Sequence, residues 1–316
     1  MRVKVLGCAA GGGFPQWNCG CPNCSGLRNG TVKARPSSQT QIAIAADPEY
    51  ALRAYWTLVN ASPDLRSQIV AAPELGPFSS TRSSSAIQDV YLQSADVDAL
   101  MGLLHLREFQ AFKVFSTPAI RRILSEENSI FQVLGRAKPP VQWFSLPLAS
   151  HLSADKKHNP KEVPKFISHA ISLGGEYPDY ISKKLRTALP PEEAVIALAF
   201  EYAGKRVFVA PALPGRNTEW KKWAESSDLV LIDGTFWTDH ELLQTGRSQK
   251  TARQIGHLPI SGPGGLMEQY PKNARGRKVL IHINNTNPIL NEDSPEHRAV
   301  REAGWEIAYD GMEFNL

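Results

Sequence analysis

The chain is predicted to be a layered α/β protein with two sheets. Three observations carry that expectation. Apolar runs of strand length recur along the whole chain, and stretches with leucines at helical spacing stand between them. Two runs, "DLVLIDGTF" and "RKVLIHINNTN", end abruptly in polar residues, which suits buried strands that carry a site at their ends. In addition, 42% hydrophobic and 21% charged residues in 316 positions fit a folded chain with a sizeable core.

Each element follows from its local pattern. "MRVKVLG" alternates Val3 and Val5 and reads as a first strand closing at Gly7. "AAGGGFPQWNCGCPNC" reads as a long glycine-rich loop. "QTQIAIAAD" (39–47) and "YWTLVNASPD" (55–64) are the next strands, and the second turns at Pro63 into a short helix, "DLRSQIVAA". "IQDVYLQSA" is a strand and "ALMGLLHLREF" a helix. "FKVFST" is a strand, followed by a helix from Pro118, a good first-turn residue. The middle, about 140–190, is the least patterned and reads as an insertion or a lid. "EEAVIALAFEYAGKRVFVAPAL" reads as a hairpin turning at Ala203-Gly204. Helices are expected between the later strands.

Composition excludes several classes. A net charge of +4 does not argue for nucleic acid, which calls for a clustered basic face. The one short basic stretch, "KKHNPKEVPK" (156–165), reads as a solvated loop. No run approaches about 18 apolar residues, so no membrane span is expected. The N-terminus is too short an apolar run for a secretory signal, and the chain reads as cytoplasmic. Three of its four cysteines crowd into six residues, unlike a secreted disulfide framework.

"CGCPNC" places Cys19, Cys21 and Cys24 so that their thiolates can converge on one Zn²⁺, which prefers four tetrahedral ligands. The bland readings are free thiols or a Cys19–Cys24 disulfide. A structural zinc is favoured, because a clamp would hold a loop with little core of its own. The fourth position is open to Cys8, or to a His or Asp from far along the chain. "GGG" at 11–13 lacks the rest of a phosphate-binding fingerprint and reads as a backbone turn.

Asp233 and His282 end apolar runs, and His257 lies between glycine- and proline-rich loops. A carboxylate and an imidazole at adjacent strand ends can share a divalent metal. Each alone is more often a hydrogen-bonded structural residue. With Asp96 and Asp98 of "SADVDALMGLL" they make a candidate constellation. His105 reads as an ordinary helix histidine, and His151, His158, His169, His240 and His297 are given no role. Trp17, Phe236 and Trp237 flank the candidate site in sequence and either line a pocket or pack in the core. No Gly-x-Ser-x-Gly element appears, which argues against a serine hydrolase site.

"GCAAGGGFPQWNCGCPNC", "NASPDLR", "GLLHLRE", "GPGG" and "VLIHINNTNPIL" resemble the signature segments of the pyrroloquinoline quinone (PQQ) biosynthesis B family, essentially end to end. The resemblance implies one metallo-β-lactamase-like domain over 1–316, an αββα four-layer sandwich. It implies a metal site in which the superfamily pattern His-x-His-x-Asp-His falls on Ser94, Asp96, Asp98 and Ala99. The family keeps the Asp-His pair; here its histidine is Ala99. Asp310 is expected as the fourth zinc ligand. The implied activity is iron- and oxygen-dependent hydroxylation of the tyrosine ring of a Glu–Tyr-derived intermediate, with Asp96, Asp98, Asp233, His257 and His282 around Fe²⁺ or another divalent metal. The alternative is carriage of PQQ or its precursor toward the periplasm. Expected partners are that intermediate or PQQ, the other PQQ pathway proteins and a second copy as a homodimer, without nucleic acid.

Overall fold

The chain forms thirteen strands among the described residues: β1 (Arg2–Gly7), β2 (Gln41–Ala45), β3 (Trp56–Val59), β4 (Ile87–Tyr91), β5 (Lys113–Ser116), β6 (Gln142–Ser145), β7 (Ile167–Gly174), β8 (Val195–Tyr202), β9 (Lys205–Ala210), β10 (Leu229–Asp233), β11 (Arg277–Ile281), β12 (Glu306–Ile307) and β13 (Glu313–Asn315). The computed structural model describes residues 1–46, 54–77, 85–108, 110–136, 140–149 and 166–316. The described residues group into two compact units. One comprises Met1–Leu6, Gln41–Lys205 and Gly311–Leu316; the other comprises Gly7–Thr40 and Arg206–Asp310.

The first unit is built on a seven-stranded sheet in the order β13-β1-β2-β3-β4-β5-β6. β3, β4, β5 and β6 run parallel, whereas β13 and β1, and β2 and β3, pair antiparallel. β2 and β3 are buried at every position, which is why they read as continuous apolar runs rather than alternating ones. Tyr91, Phe115 and Phe144 stack across three neighbouring strands, with ring centroids 4.4 and 5.1 Å apart. β7 pairs antiparallel with β8.

The expected helix "ALMGLLHLREF" is replaced by one α-turn, Val97–Leu100, and a 3₁₀ stretch, Met101–Arg107. The Gly102 N–H leaves the helical ladder and bonds the Ala61 carbonyl at 2.8 Å. A Cβ at Gly102 would stand 2.2 Å from the Ser62 carbonyl oxygen, so only glycine permits that approach. The flanks of the expected insertion supply β6, β7 and the helix Lys183–Ala188. Its centre, 150–165, with His151, His158 and the basic stretch, lies outside the described residues.

The second unit carries β9, β10, β11 and β12 in register and parallel, with Leu231 opposite both Val209 and Val279. Helices Glu219–Glu225, Glu241–Gln244, Leu266–Gln269 and Pro295–Glu302 lie between these strands in sequence, as expected. Leu229, Val230, Leu231 and Ile232 are fully buried. At about 1.5–3 kcal/mol for each large aliphatic side chain, that burial anchors the end of β10 firmly. Asp233 is the last residue of β10, and His282 follows directly after β11. Parallel strands thus deliver both side chains to one edge, the carboxyl edge, where open α/β sheets bind ligands.

The Gly7–Thr40 segment adds to that edge. Ala10 N–H bonds the Ile283 carbonyl and Ile283 N–H bonds the Cys8 carbonyl, both at 2.9 Å. The loop also contains a helix that the sequence reading passes over, Pro22–Asn29. Its signals are Pro22 at the first position and Gly30 at the C-terminal cap with φ 76°.

Candidate functional site

Two groups of metal-ligand side chains gather among the described residues: Asp233 with His257 and His282, and Cys19 with Cys21 and Cys24. Within each group the ligand atoms lie within 4.8 Å of one another.

The first group is organised by Thr235, which the sequence reading does not single out. Gly234 lets the chain turn sharply after β10. A Cβ there would meet the Leu280 Cβ at 2.8 Å, and its N–H bonds the Ile281 carbonyl at 2.7 Å. Asp233 is fully buried, and each of its carboxylate oxygens accepts two hydrogen bonds. Oδ1 accepts from the Thr235 N–H (3.0 Å) and hydroxyl (2.6 Å). Oδ2 accepts from the Leu213 N–H (2.8 Å) and faces His257 Nδ1 (2.9 Å). His257 Nδ1 and His282 Nδ1 also lie 3.0 and 2.9 Å from Thr235 Oγ1. A hydroxyl has one proton, and Asp233 takes it; His282 Nδ1 must then donate to Thr235, while the single Nδ1 proton of His257 is shared between Asp233 Oδ2 and Thr235 Oγ1. Both rings are fixed with the proton on Nδ1, which leaves the Nε2 lone pair as the basic nitrogen of each.

The two imidazoles stack at 5.4 Å with an interplanar angle of 17°, and Phe236 meets His257 edge-on at 5.7 Å. His282 has φ 58°, a left-handed conformation that a non-glycine residue adopts at a cost. Phe236 is buried, as core packing would have it; Trp17 is 84% exposed and takes no part in a core.

In the second group all four cysteines of the chain are free, so no Cys19–Cys24 disulfide forms. Cys21 caps the helix Pro22–Asn29 and Cys24 lies in its first turn. The side-chain nitrogen of Asn285 sits 3.0, 3.7 and 3.4 Å from the sulfurs of Cys19, Cys21 and Cys24. Burial raises the Cys21 thiol to about 11. Burial also opposes the Cys19 thiolate, but hydrogen bonds from Cys21 and Cys24 and the charge of Arg247 bring its pKa down overall.

The two groups are joined by the segment after β11. Asn23, on the cysteine-bearing helix, donates to the carbonyls of Asn285 (3.1 Å) and Asn287 (2.9 Å). Asn287 donates in turn to the carbonyls of Gly234 (2.9 Å) and Thr235 (3.2 Å). Glu241 holds the same segment from the other side. It accepts from Thr286 Oγ1 at 2.5 Å and from the Trp237 N–H at 2.7 Å, and burial pushes its carboxyl up to about 7. These amides and Glu241 carry no sequence signal beyond the unusual density of asparagine in "HINNTNP".

Asp310, expected as the fourth zinc ligand, is engaged elsewhere. Its carboxylate accepts from the Ser38 N–H and hydroxyl, both at 2.7 Å, and from the Cys8 N–H at 3.2 Å. Cys8 itself hydrogen-bonds the Ala308 carbonyl at 3.3 Å and also joins no ligand group. Neither Asp96 nor Asp98 belongs to a ligand group among the described residues. Asp96 precedes the helix Val97–Leu100 and accepts from Ser94 Oγ at 2.7 Å. Asp98 stands in that helix's first turn, where a carboxylate is favoured. Ala99 is buried, its carbonyl accepting from the Ala61 N–H at 2.8 Å. His105 is exposed, in keeping with an ordinary surface histidine.

Residues 55–283 match the Beta-lactamase superfamily domain. Over its full length the chain is 43% identical to the coenzyme PQQ synthesis protein B of Azoarcus sp. (strain BH72), and 39% identical to that of Methylobacillus flagellatus; both alignments cover all of each relative. The chain belongs to the coenzyme PQQ synthesis protein B family. A member of this family from Methylobacterium extorquens, solved as "Zn(2+)-bound PqqB", superposes with a TM-score of 0.85 at 36% identity, covering both chains completely. A diphosphatase of the PhnP family superposes with a TM-score of 0.60 at 13% identity, which speaks to the fold alone. The expected metallo-β-lactamase-like α/β fold is therefore the fold of this family member. No helix among the described residues is long and apolar enough to cross a membrane.

Proposed function

We propose that this chain acts in PQQ biosynthesis as a metal-dependent oxygenase that hydroxylates the tyrosine ring of a Glu–Tyr-derived intermediate. The observation that supports this reading is the convergence of Asp233, His257 and His282 at one sheet edge. Two imidazoles and one carboxylate are the donor set of non-haem iron sites that react with dioxygen. Fe²⁺ bound there would supply the redox chemistry, with dioxygen and a two-electron donor as co-reactants.

The protein's own part is preparation. Thr235 holds both imidazoles in the tautomer that can ligate. Asp233 supplies the negative charge, fully buried and oriented by four hydrogen bonds, that a cation beside neutral rings requires. Phe236 covers an edge of His257 and keeps water from that side. The donor chemistry of Cys19, Cys21 and Cys24 fits zinc, and the Methylobacterium extorquens relative was solved with Zn²⁺ bound, which supports a divalent metal in this chain. We assign this second metal a structural role, because it would clamp the Gly7–Thr40 segment. The intermediate itself and the other proteins of the pathway are the partners that this reading implies.

Anaerobic loading with Fe²⁺, followed by metal analysis and incubation with a Glu–Tyr-containing substrate in air, tests the proposal. The parent should hold zinc and stoichiometric iron, and mass spectrometry should show one oxygen atom gained on the tyrosine ring. His282→Ala should lose the iron and the oxygen gain while keeping the zinc. Zinc alone, with no oxygen transferred, would sink the oxygenase and leave carriage of PQQ or its precursor as the better reading.

A further inference from the structure

We infer that the carboxyl edge of β5 and β6 holds a second ligand site, which takes a small oxyanion, a phosphate or carboxylate group. The site is a cavity of about 270 Å³ lined by Ser116, Pro118, Arg121, Arg122, Ser125 and Ser145. All of these residues belong to the first unit, and none is in either metal-ligand group.

Local structure builds the cavity. Ser116 is the last residue of β5 and Ser145 the last of β6, and the two are opposite each other in the parallel register. Opposed residues on neighbouring strands send their side chains to the same face, so two hydroxyls stand side by side where the strands end. That edge is where open α/β sheets bind ligands. Thr117 then caps the helix Pro118–Glu126, its hydroxyl accepting from the Ile120 N–H at 3.3 Å. Ala119, Ile120, Ile123 and Leu124 of that helix are buried. Pro118, Arg121, Arg122 and Ser125 recur at i, i+3, i+4 and i+7 and form one stripe along the cavity.

The polar groups of the lining call for an anion. Ser116 is 1% exposed, and its hydroxyl has no hydrogen-bond partner among the described residues. Buried hydroxyls are normally satisfied, so an open one at a cavity wall marks a place for a ligand atom. The Arg121 guanidinium has no ion-pair or hydrogen-bond partner among the described residues either. Arg122 is held by Glu126 at 2.7 Å, and the Ser125 hydroxyl donates to the Arg122 carbonyl at 3.1 Å. Glu193 accepts from the Ala119 N–H at 2.7 Å and so occupies the start of the helix, which leaves the site to side chains rather than helix amides. The lining offers two guanidinium groups and three hydroxyls, and no carboxylate. All of these groups can donate, and a guanidinium can do nothing else. The complement is a negatively charged group that only accepts, and phosphate and carboxylate have the oxygen spacing that fits a guanidinium fork.

Calorimetric titration of the full chain with inorganic phosphate and with malonate, at constant ionic strength set by chloride, tests the site. At least one of the two should bind saturably. Tighter phosphate assigns a phosphoryl group, and tighter malonate a carboxylate. Arg121→Gln, on an exposed position of the helix, should weaken the tighter anion about tenfold or more. Ser116→Ala should weaken it roughly threefold to tenfold. The urea midpoint of anion-free Ser116→Ala should be no lower than the parent's, because the hydroxyl gives up no bond within the chain. His282→Ala should bind the anion as the parent does, which separates this site from an anion drawn to a metal. Binding of neither anion above the chloride background would overturn the inference. So would parent-like affinity in folded Arg121→Gln, or a loss of binding confined to His282→Ala. A lowered midpoint in Ser116→Ala would do the same, by showing the hydroxyl spent within the fold.

Discussion

Thr235 touches Asp233, His257 and His282 at once, and one hydroxyl proton decides the protonation of both rings. Thr235→Val keeps the shape and removes the hydroxyl. It should lower divalent-metal affinity at this site by about 10–100-fold in a titration calorimeter, with zinc at the cysteines unchanged. Thr235→Ser should restore it. Glu241 offers a second measurement. Its carboxyl is raised from 4.5 to about 7, so the folded chain binds the proton more tightly than the unfolded one. The stability it contributes is complete below about pH 4.5 and is lost as pH rises through 7. Between pH 5 and 8 the parent should lose up to about 3 kcal/mol from this group in urea melts. Glu241→Gln should show none of that slope; an identical pH profile would refute the assignment. At this scale Asp233 and His282 are legible, because each ends an apolar run. Thr235, Asn285 and Glu241 are not, because threonine, asparagine and glutamate acquire their roles only from what folding places beside them.

Among the elements, strands read well and irregular turns read badly. β2, β3, β10 and β11 lie where continuous apolar runs predict them. The 3₁₀ stretch Met101–Arg107 does not, because the bond from Gly102 to Ala61 comes from a residue forty-one positions away. The helix Pro22–Asn29 is hidden by cysteine, glycine and proline, which together resemble a loop although Pro22 and Gly30 mark its ends. The turn after β10 yields a prediction. Gly234→Ala places a Cβ 2.8 Å from that of Leu280, and something must move. The expected loss is about 1–3 kcal/mol of stability. Metal affinity at Asp233 should fall with it, because the same shift displaces the carboxylate. A variant as stable as the parent would show that the turn yields freely.

For the molecule as a whole, the α/β class and the strand-rich halves are visible in the sequence because burial leaves a period that can be counted. The grouping into two units is not, because each unit is assembled from separate stretches of chain. The Gly7–Thr40 segment has a small apolar cluster of Ala9, Phe14 and the three cysteines. Removing zinc with a chelator should therefore expose this segment first. Hydrogen exchange should quicken at the amides of Ala10, Phe14 and Ser37, which bond within it or to Ile283. The amides of β2 and β3 should exchange as before. Uniform exchange before and after chelation would remove the clamp from the account.

The six residues 282–287 give one ring to the first ligand group and one amide to the second, and Asn23 and Asn287 lock them in between. For protein engineering this makes the segment an indivisible cassette. A designer who wished to install a different metal chemistry by grafting the strand-end loop of another enzyme would erase the cysteine cluster's companion in the same stroke. Random mutagenesis should meet the same barrier. Insertions and deletions between His282 and Asn287 should be nearly absent from any library selected for cofactor synthesis, while the exposed turn at Ala203-Gly204 should accept them freely.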